Sequence, residues 1–313
     1  MKKYRNSAFL VLAALIWGIA FVAQSTGGDA IGPWAFNCIR MIVGAISIAI
    51  FIPIMDKLKM TKTATSPTPL DKKILLKGGI ICGCIAFFAT NLQQLGITAG
   101  ASAGKAGFLT TCYVVLVPVL AIFLKKKCGW NVWVSVVFAI IGLYLLCMKG
   151  SFSLELPDLL LILCALSFSV HILTIDHYSP MVDGVRLSCI QFIVCSILTA
   201  IPAFFVDMHH SIDGVRAWLA AFPADAWIAI LYAGVMSCSI AYTLQIVGQE
   251  GVNPTVASLL MSLESVFSAL AGAVILGERM SGRETWGCVL IFIAVIFAQL
   301  PLSAMMKKKS AAG

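Results

Sequence analysis

Ten apolar runs of about twenty residues follow one another along the chain, and they leave little room for any fold outside a membrane. Hydrophobic residues make up 60% of the sequence and charged residues 12%, whereas soluble domains average about 25% charged residues. A soluble chain of this size could not bury every run on all sides. The runs therefore predict membrane-spanning helices at about 6–26, 33–55, 74–96, 104–124, 130–148, 157–176, 186–206, 225–247, 255–276 and 284–302.

A short polar motif occurs at matching places in the two halves of the sequence. Segment 92–96 (Leu-Gln-Gln-Leu-Gly) recurs 152 positions later as segment 244–248 (Leu-Gln-Ile-Val-Gly), each at the end of an apolar run. Because five crossings are an odd number, a second copy of the unit would enter the membrane from the opposite side. The predicted fold is an all-α integral membrane protein with ten transmembrane helices in two inverted five-helix repeats, residues 1–150 and 151–313.

Basic residues are concentrated on one predicted face of the membrane. The net charge is +8, and most of it falls before the first span, after the last, or in every second loop. The positive-inside rule makes this face cytoplasmic and places both termini there. The charge is therefore a topology signal, and we expect no nucleic-acid partner. The residues are Lys2, Lys3, Arg5, Lys57, Lys59, Lys62, Lys72, Lys73, Lys125, Lys126, Lys127, Lys307, Lys308 and Lys309.

Several features argue against an enzyme or a pump driven by ATP. The sequence has neither a soluble catalytic domain nor a P-loop, so transport energy would have to come from a gradient. Eleven cysteines are scattered along the chain, most of them inside the apolar runs, at spacings unlike those of metal sites, and we expect neither a metal nor a cofactor. The first apolar run extends past Trp17 without a convincing cleavage site, and we expect it to be retained as a span.

Four ionisable residues fall within predicted spans, where charge is expensive and usually functional. Glu264 and His171 lie near the middle of spans nine and six, and both are candidates for proton coupling or for binding a substrate amine. Arg40 and Lys105 lie nearer the outer face and could contact a substrate carboxylate. Structural alternatives remain open: Arg40 could bind the connector between spans three and four, Lys105 could snorkel, and His171 could bond a helix carbonyl.

Alignment of the two halves relates some of these residues to one another. A shift of 151 positions places Tyr113 opposite Glu264, and it places His171 opposite Ala20, which lies close to Trp17. The alignment predicts that Tyr113, His171 and Glu264 lie at similar depth near the midplane, where carriers with inverted repeats bind their cargo. Trp17 would form an apolar wall of such a cavity or would serve ordinary packing.

Uncharged polar residues accumulate at the ends of spans three and eight. Gln93 and Gln245 are equivalent positions of the duplicated motif. Asn91 and Gln94 are three residues apart and share one helix face, as do Tyr242 and Gln245. Two interpretations are open, because amides and a phenol can orient a substrate in a cavity or can form hydrogen bonds between helices.

Several motifs occur in an order that resembles the drug/metabolite transporter superfamily, specifically its EamA-type members. The resemblance covers essentially the whole chain and implies ten spans and the transport of small metabolites, often amino acids and often outward. Ser265 stands where a proline is common, and 125–128 (Lys-Lys-Lys-Cys) replaces a frequent Gly-Glu pair, so no particular substrate carries over. The motifs are 15–21 (Leu-Ile-Trp-Gly-Ile-Ala-Phe), Arg40, 103–110 (Ala-Gly-Lys-Ala-Gly-Phe-Leu-Thr), 263–267 (Leu-Glu-Ser-Val-Phe) and 276–281 (Leu-Gly-Glu-Arg-Met-Ser).

Together these patterns predict a secondary active transporter that moves an amino acid or related metabolite by alternating access at a midplane cavity, with protons as a possible coupling ion. An integral membrane enzyme acting on lipid-linked substrates would need clustered acidic residues or a metal motif, and a channel would need a ring of polar residues. The expected partners are the lipid bilayer and a small-molecule substrate. We expect a multi-pass protein of the plasma membrane, the bacterial inner membrane, as a monomer or homodimer.

Overall fold

A computed structural model describes residues 2–66, 69–101, 103–126, 129–147, 155–275 and 281–299, and these residues form helices and short connections without any strand. Two π-helical segments, Ala203–Asp207 and Tyr232–Ala241, continue the helices that precede them. The helices are α1 Lys2–Ile31, α2 Pro33–Lys57, α3 Lys62–Thr65, α4 Lys72–Thr98, α5 Ala103–Thr111, α6 Tyr113–Phe123, α7 Trp130–Cys147, α8 Leu156–Tyr178, α9 Gly184–Pro202, α10 Ile212–Ala220, α11 Ala226–Leu231, α12 Tyr242–Gln249, α13 Pro254–Met261, α14 Leu263–Ile275 and α15 Gly282–Gln299.

The described part of the chain contains nine helical stretches long and apolar enough to cross a membrane. The fifth predicted span, at 130–148, corresponds to the shorter apolar helix Trp130–Leu146. An all-helical integral membrane protein is therefore confirmed, while the count of ten spans and the side of the termini stay predictions. Several sequence predictions fall outside the described residues: Lys127, Cys128, Lys307, Lys308, Lys309, the motif at 276–280 and the repeat boundary at 150–151.

The helices pack in pairs that recur across the two halves. α7 packs along α15, and α2 packs along α9. In the first half, α4 packs against α8 and α9. In the second half, the π-helical segment Tyr232–Ala241 packs against α1 and α2, and α12, which follows it, packs against α1. Contacts of the third predicted span therefore correspond to contacts of the eighth. α1 with α14 and α8 with α6 form a further corresponding pair.

Each of the central helices α2 and α9 is tied at its start by a carboxylate from the end of the other. The Ala35 N–H donates to Asp207 Oδ2 at 2.7 Å, and a carboxylate at a helix N-terminus complements the helix dipole. At the opposite ends, Arg186 Nη2 lies 2.6 Å from Asp56 Oδ2. Each end of this helix pair is therefore fastened by a carboxylate that bonds between the two halves of the chain.

Helices α7 and α15 approach so closely that their backbones touch. A Cβ atom built on Gly142 would lie 2.8 Å from the Gly287 carbonyl oxygen, and one built on Gly287 would lie 2.7 Å from the Gly142 carbonyl oxygen. Small residues at a crossing let helices pack tightly in lipid, where apolar bulk alone gives no drive to associate. The α7–α15 contact therefore depends on these two glycines.

We predict that Gly142→Leu and Gly287→Leu each lower the free energy of unfolding by about 1–3 kcal/mol, the usual cost of overpacking. Gly282→Ala is the matched control, because a Cβ at Gly282 meets no atom within 4 Å. Denaturant titration of the purified protein in detergent micelles measures the change. Equal stability of all three variants would show that the α7–α15 crossing is looser than described.

Candidate functional site

A cavity lies inside the bundle, enclosed by helices of both halves. It encloses about 510 Å³, counted together with the space at its open end. Both polar and aromatic side chains face it, which is the usual character of a site for a small polar ligand. The lining residues are Trp17, Phe21, Gln24, Arg40, Gln93, Thr110, Tyr113, Phe168, Ile172, Ser237, Tyr242, Gln245, Met261 and Glu264.

Most of the lining consists of residue pairs related by the shift between the two halves. The two glutamines are 152 positions apart and the other pairs 151. The unmatched lining residues are Gln24, Arg40, Ser237 and Tyr242. The matched pairs are Trp17 with Phe168, Phe21 with Ile172, Gln93 with Gln245, Thr110 with Met261, and Tyr113 with Glu264.

Glu264 is the acidic side chain of the cavity. Its Oε1 accepts a hydrogen bond from Tyr113 OH at 3.2 Å and one from Thr111 Oγ1 at 3.3 Å. The Thr111 hydroxyl also lies 2.9 Å from the hydroxyl of Ser265, the residue that stands where a proline is common in the resembling family. These hydroxyl groups hold the carboxyl group in place without neutralising its charge.

Two helices tighten by one turn beside this carboxyl group while their helical bonding continues, since Cys112 N donates to Phe108 O at 3.1 Å and Ser262 N donates to Ser258 O at 2.9 Å. Cys112 separates α5 from α6 with φ −56° and ψ −10°, and Ser262 separates α13 from α14 with φ −62° and ψ −14°. Bonds from Val115 N to Cys112 O, 3.0 Å, and from Ser265 N to Ser262 O, 3.3 Å, span three residues, as in a 3₁₀ turn. Such turns within helices often mark hinges.

Arg40 provides the positive charge of the cavity, and a buried network positions it. Its Nε donates to Asn37 Oδ1 at 2.6 Å, and its guanidinium lies 5.6 Å from the centre of the Phe36 ring. The Asn37 amide donates to Asn91 Oδ1 at 3.0 Å and to the Thr90 carbonyl at 2.9 Å. Arg40 is 3% exposed, and no carboxylate pairs with it among the described residues.

Three lining residues carry polar atoms with no hydrogen-bond partner in the described part of the chain. They are the indole Nε1 of Trp17 and the amide oxygens of Gln24 and Gln245. A buried polar group that lacks a partner costs about 1–3 kcal/mol, so a ligand that supplies a partner gains that energy. Gln93 differs, because its amide nitrogen lies 3.5 Å from Thr110 Oγ1.

His171 lies behind the cavity wall and does not line it. Its Nε2 is 3.1 Å from Gln191 Oε1, and its ring packs edge-on against Tyr242 at 6.1 Å between centroids. Tyr242 also packs against Trp17 at 4.9 Å and Phe192 at 5.2 Å. His171 therefore bonds a side chain and not a helix carbonyl, and a single aromatic ring separates it from the cavity.

The structure brings together seven of the eleven residues predicted for the site: Trp17, Arg40, Gln93, Tyr113, Tyr242, Gln245 and Glu264. Asn91 and Gln94 bond other helices instead. Asn91 Nδ2 donates to Thr199 Oγ1 at 3.0 Å, and Gln94 Nε2 donates to the Gln24 carbonyl at 2.9 Å. Lys105 lies in α5, and its side chain is outside the described part.

Sequence reasoning missed seven of the fourteen lining residues, Gln24 among them, and it also missed Asn37, which positions Arg40. Trp17, Phe21 and Gln24 follow one another at spacings of four and three residues, so they share a helix face. Asn37 lies three residues before Arg40 and therefore also shares its face. Because Trp17 and Arg40 were already predicted for the site, helical spacing from these two residues could have identified Gln24 and Asn37 as well.

Comparisons with known proteins agree with this architecture. A model of the EamA-like transporter family matches residues 7–148 and again residues 156–299. An uncharacterized transporter of Archaeoglobus fulgidus is 28% identical over 292 residues, which cover 93% of this chain and 84% of that protein. The uncharacterized transporter YwfM of Bacillus subtilis is 23% identical over 320 residues, covering 100% and 98%. A solved crystal structure shares the fold with a TM-score of 0.72 at 16% identity, covering 94% of this chain and 95% of that one.

The apolar helices and the central polar cavity define a multi-pass membrane protein of the transporter class. The chain belongs to the EamA-like transporter family. The predicted resemblance is thereby confirmed, and the names of the family and of the relatives indicate a transporter and not an enzyme.

We predict that Asn37→Leu lowers the free energy of unfolding by about 1–3 kcal/mol, because it leaves the buried Arg40 Nε without its acceptor. Ser47→Ala on the same helix is the control, since the Ser47 hydroxyl bonds only its own helix, at Val43 O. That change should stay within about 0.5 kcal/mol. Equal effects of the two substitutions in a denaturant titration would contradict a structural role of the Asn37 network.

Proposed function

We propose that the protein is a secondary active transporter that carries an amino acid or a related small metabolite across the membrane by alternating access at the central cavity. The observation that carries the proposal is the placement of Arg40 and Glu264 in the lining of one buried cavity. They are the only charged residues among the described lining side chains. A zwitterion meets both, with its carboxylate at Arg40 and its ammonium group at Glu264.

Charge balance favours a zwitterion over a simple cation or anion. A charge buried without a partner costs several kcal/mol, whereas a paired and hydrogen-bonded charge does not. A cationic substrate would leave Arg40 unpaired, and an anionic substrate would leave Glu264 unpaired unless a proton enters with it. Net neutrality of the occupied cavity therefore selects either a zwitterion or an anion together with a proton.

Two inverted five-helix repeats would provide the machinery for alternating access. Support comes from the corresponding helix contacts, the matched pairs in the lining, and the tightened turns at Cys112 and Ser262. The family match in two consecutive stretches adds to this support. Rocking of one repeat against the other would expose the cavity first to one side and then to the other.

Glu264 is the proposed proton site, because a carboxyl group in an apolar helix can lose its charge by binding a proton. In the proposed orientation both termini face the cytoplasm, and the cavity extends toward the outer end of α1, where Gln24 lies. The proposed location is the plasma membrane of a bacterial cell, with a monomer or homodimer as the working unit. Export as the direction of transport rests on resemblance to the family.

We predict that saturable uptake by proteoliposomes from a labelled amino-acid pool is inhibited best by zwitterions. Amines without a carboxylate and acids without an amine should inhibit at least about tenfold less well, because each leaves one cavity charge unpaired. Arg40→Gln should remove the discrimination against amines, and Glu264→Gln the discrimination against acids. Measured inhibition constants for the two classes of analogue give the comparison directly.

Lys77→Gln is the control for these two variants, because Lys77 is exposed on α4 and lies outside the cavity. It should preserve both preferences. Uptake with the same selectivity in Arg40→Gln and Glu264→Gln as in the wild-type protein would place the substrate elsewhere and would overturn the proposed site.

We also predict that accumulation driven by an imposed pH gradient is lost in Glu264→Gln, while exchange of labelled for unlabelled substrate continues. The amide keeps the shape of the side chain but cannot bind and release a proton. Accumulation and exchange are measured in parallel on the same proteoliposomes. Gradient-driven accumulation that survives the substitution would assign proton coupling to another group.

A further inference from the structure

Arg40 has a counterpart in the second half of the chain, and that counterpart is Gln191. Helix α2 starts at Pro33 and helix α9 at Gly184, which lie 151 positions apart, the shift that relates most of the matched lining residues. Arg40 lines the cavity, whereas Gln191 is fully buried outside it. The two positions are therefore equivalent in the sequence but lie in different surroundings.

Hydrogen bonds next to the two positions correspond as well. Between α2 and α4, Asn37 donates to Asn91 Oδ1 at 3.0 Å. Between α9 and α12, Thr243 donates to Ser188 Oγ at 3.2 Å. Asn37 and Ser188 are 151 positions apart, and Asn91 and Thr243 are 152 apart. The two neighbourhoods are thus two versions of one structural unit.

The pair formed by His171 and Gln191 has unused hydrogen-bonding capacity. Both side chains are 0% exposed, and they bond each other at 3.1 Å. The remaining ring nitrogen of His171, Nδ1, and the amide nitrogen of Gln191 have no partner among the described residues. Two such groups side by side in an apolar bundle are costly, and each calls for an explanation.

Tyr242 links this pair to the cavity. Tyr242 lines the cavity on one side and packs against the His171 ring on the other, at 6.1 Å between centroids. Ile172, the residue next to His171, already lines the cavity. A modest displacement of the Tyr242 ring would therefore join the unused polar groups to the cavity.

We propose that the amide nitrogen of Gln191 donates to the substrate carboxylate when the cavity faces the other side of the membrane, with His171 positioning it by donating from Nε2 to Gln191 Oε1. In that state the two halves have exchanged their conformations, so Gln191 takes the place that Arg40 has here and Arg40 withdraws into its own half. The inference rests on the inverted repeats of the proposed function. It also accounts for a histidine that lies beside the cavity without lining it.

The two subsites would differ in strength. A guanidinium group binds a carboxylate through charge-assisted hydrogen bonds, which are about twice as strong as those of a neutral amide donor such as Gln191 Nε2. The substrate would therefore be held more tightly on the Arg40 side and released more readily on the His171 side. With the proposed orientation, the Arg40 side is the outer one.

Transport measured from each face separately tests this inference. Right-side-out and inverted membrane vesicles would be assayed with the labelled amino acid that gives the highest saturable uptake, against vesicles without the protein. Gln191→Leu and His171→Phe should raise the KM about tenfold at the cytoplasmic face and leave the outer KM unchanged. Arg40→Gln should do the reverse. A purely structural role would alter both faces alike.

Gln249→Leu is the matched control, because Gln249 is a buried glutamine of α12 that lies outside the lining and outside the pair. Its KM should stay unchanged at both faces. Gln191→Met, which keeps the length of the side chain, replaces Gln191→Leu if the latter fails to fold. Equal KM changes at the two faces, or no change at either, would overturn the inference.

A labelling experiment separates failure of this inference from failure of the proposed substrate. Gln191→Cys and Arg40→Cys would be made in a chain whose native cysteines are replaced, and treated with a membrane-impermeant thiol reagent from one face at a time. The inference requires Gln191→Cys to react from the cytoplasmic face and Arg40→Cys from the outer face. This result does not depend on which substrate is carried, and protection of Gln191→Cys from both faces would overturn the inference.

Discussion

An arginine and a glutamate lie in the same apolar bundle, and the cost of burying two charges constrains everything around them. Arg40 is held by Asn37, which is itself fixed by α4. Glu264 is held by hydroxyl groups of Tyr113 and Thr111. Neither charge is neutralised by a described partner of its own, so the cavity keeps both available. A site of this kind is stable only if the helices that carry it are packed tightly.

That tight packing comes from contacts that occur once in each half of the chain. The carboxylate of Asp207 ties the start of α2, and Asp56 ties the start of α9 through Arg186. Tightened turns at Cys112 and Ser262 lie in two corresponding helices, close to the carboxyl group of Glu264. The main departure from this correspondence is Arg40 against Gln191, since Arg40 lines the cavity and Gln191 lies outside it.

Much of this organisation could be predicted from the sequence, because the properties that determine it are periodic or duplicated. Hydropathy located the helices, and the repeated motif at 92–96 and 244–248 selected Gln93 and Gln245, which both line the cavity. The rotation of each helix about its axis could not be predicted. Asn91 lies two residues from Gln93, a turn of about 200° on a helix, and it faces other helices instead.

The π-helical segment Tyr232–Ala241 was also beyond prediction, because nothing in its composition marks it. It rotates the chain just before Tyr242 and so affects which side chains reach the cavity. His171 was selected for its chemistry, and its place behind Tyr242 depends on packing between helices far apart in sequence.

Substrate counterflow tests the central claim of a carrier most directly. Proteoliposomes loaded with unlabelled amino acids should take up labelled substrate above its equilibrium level and then lose it. Entry that rises steadily to equilibrium without such an overshoot would contradict alternating access.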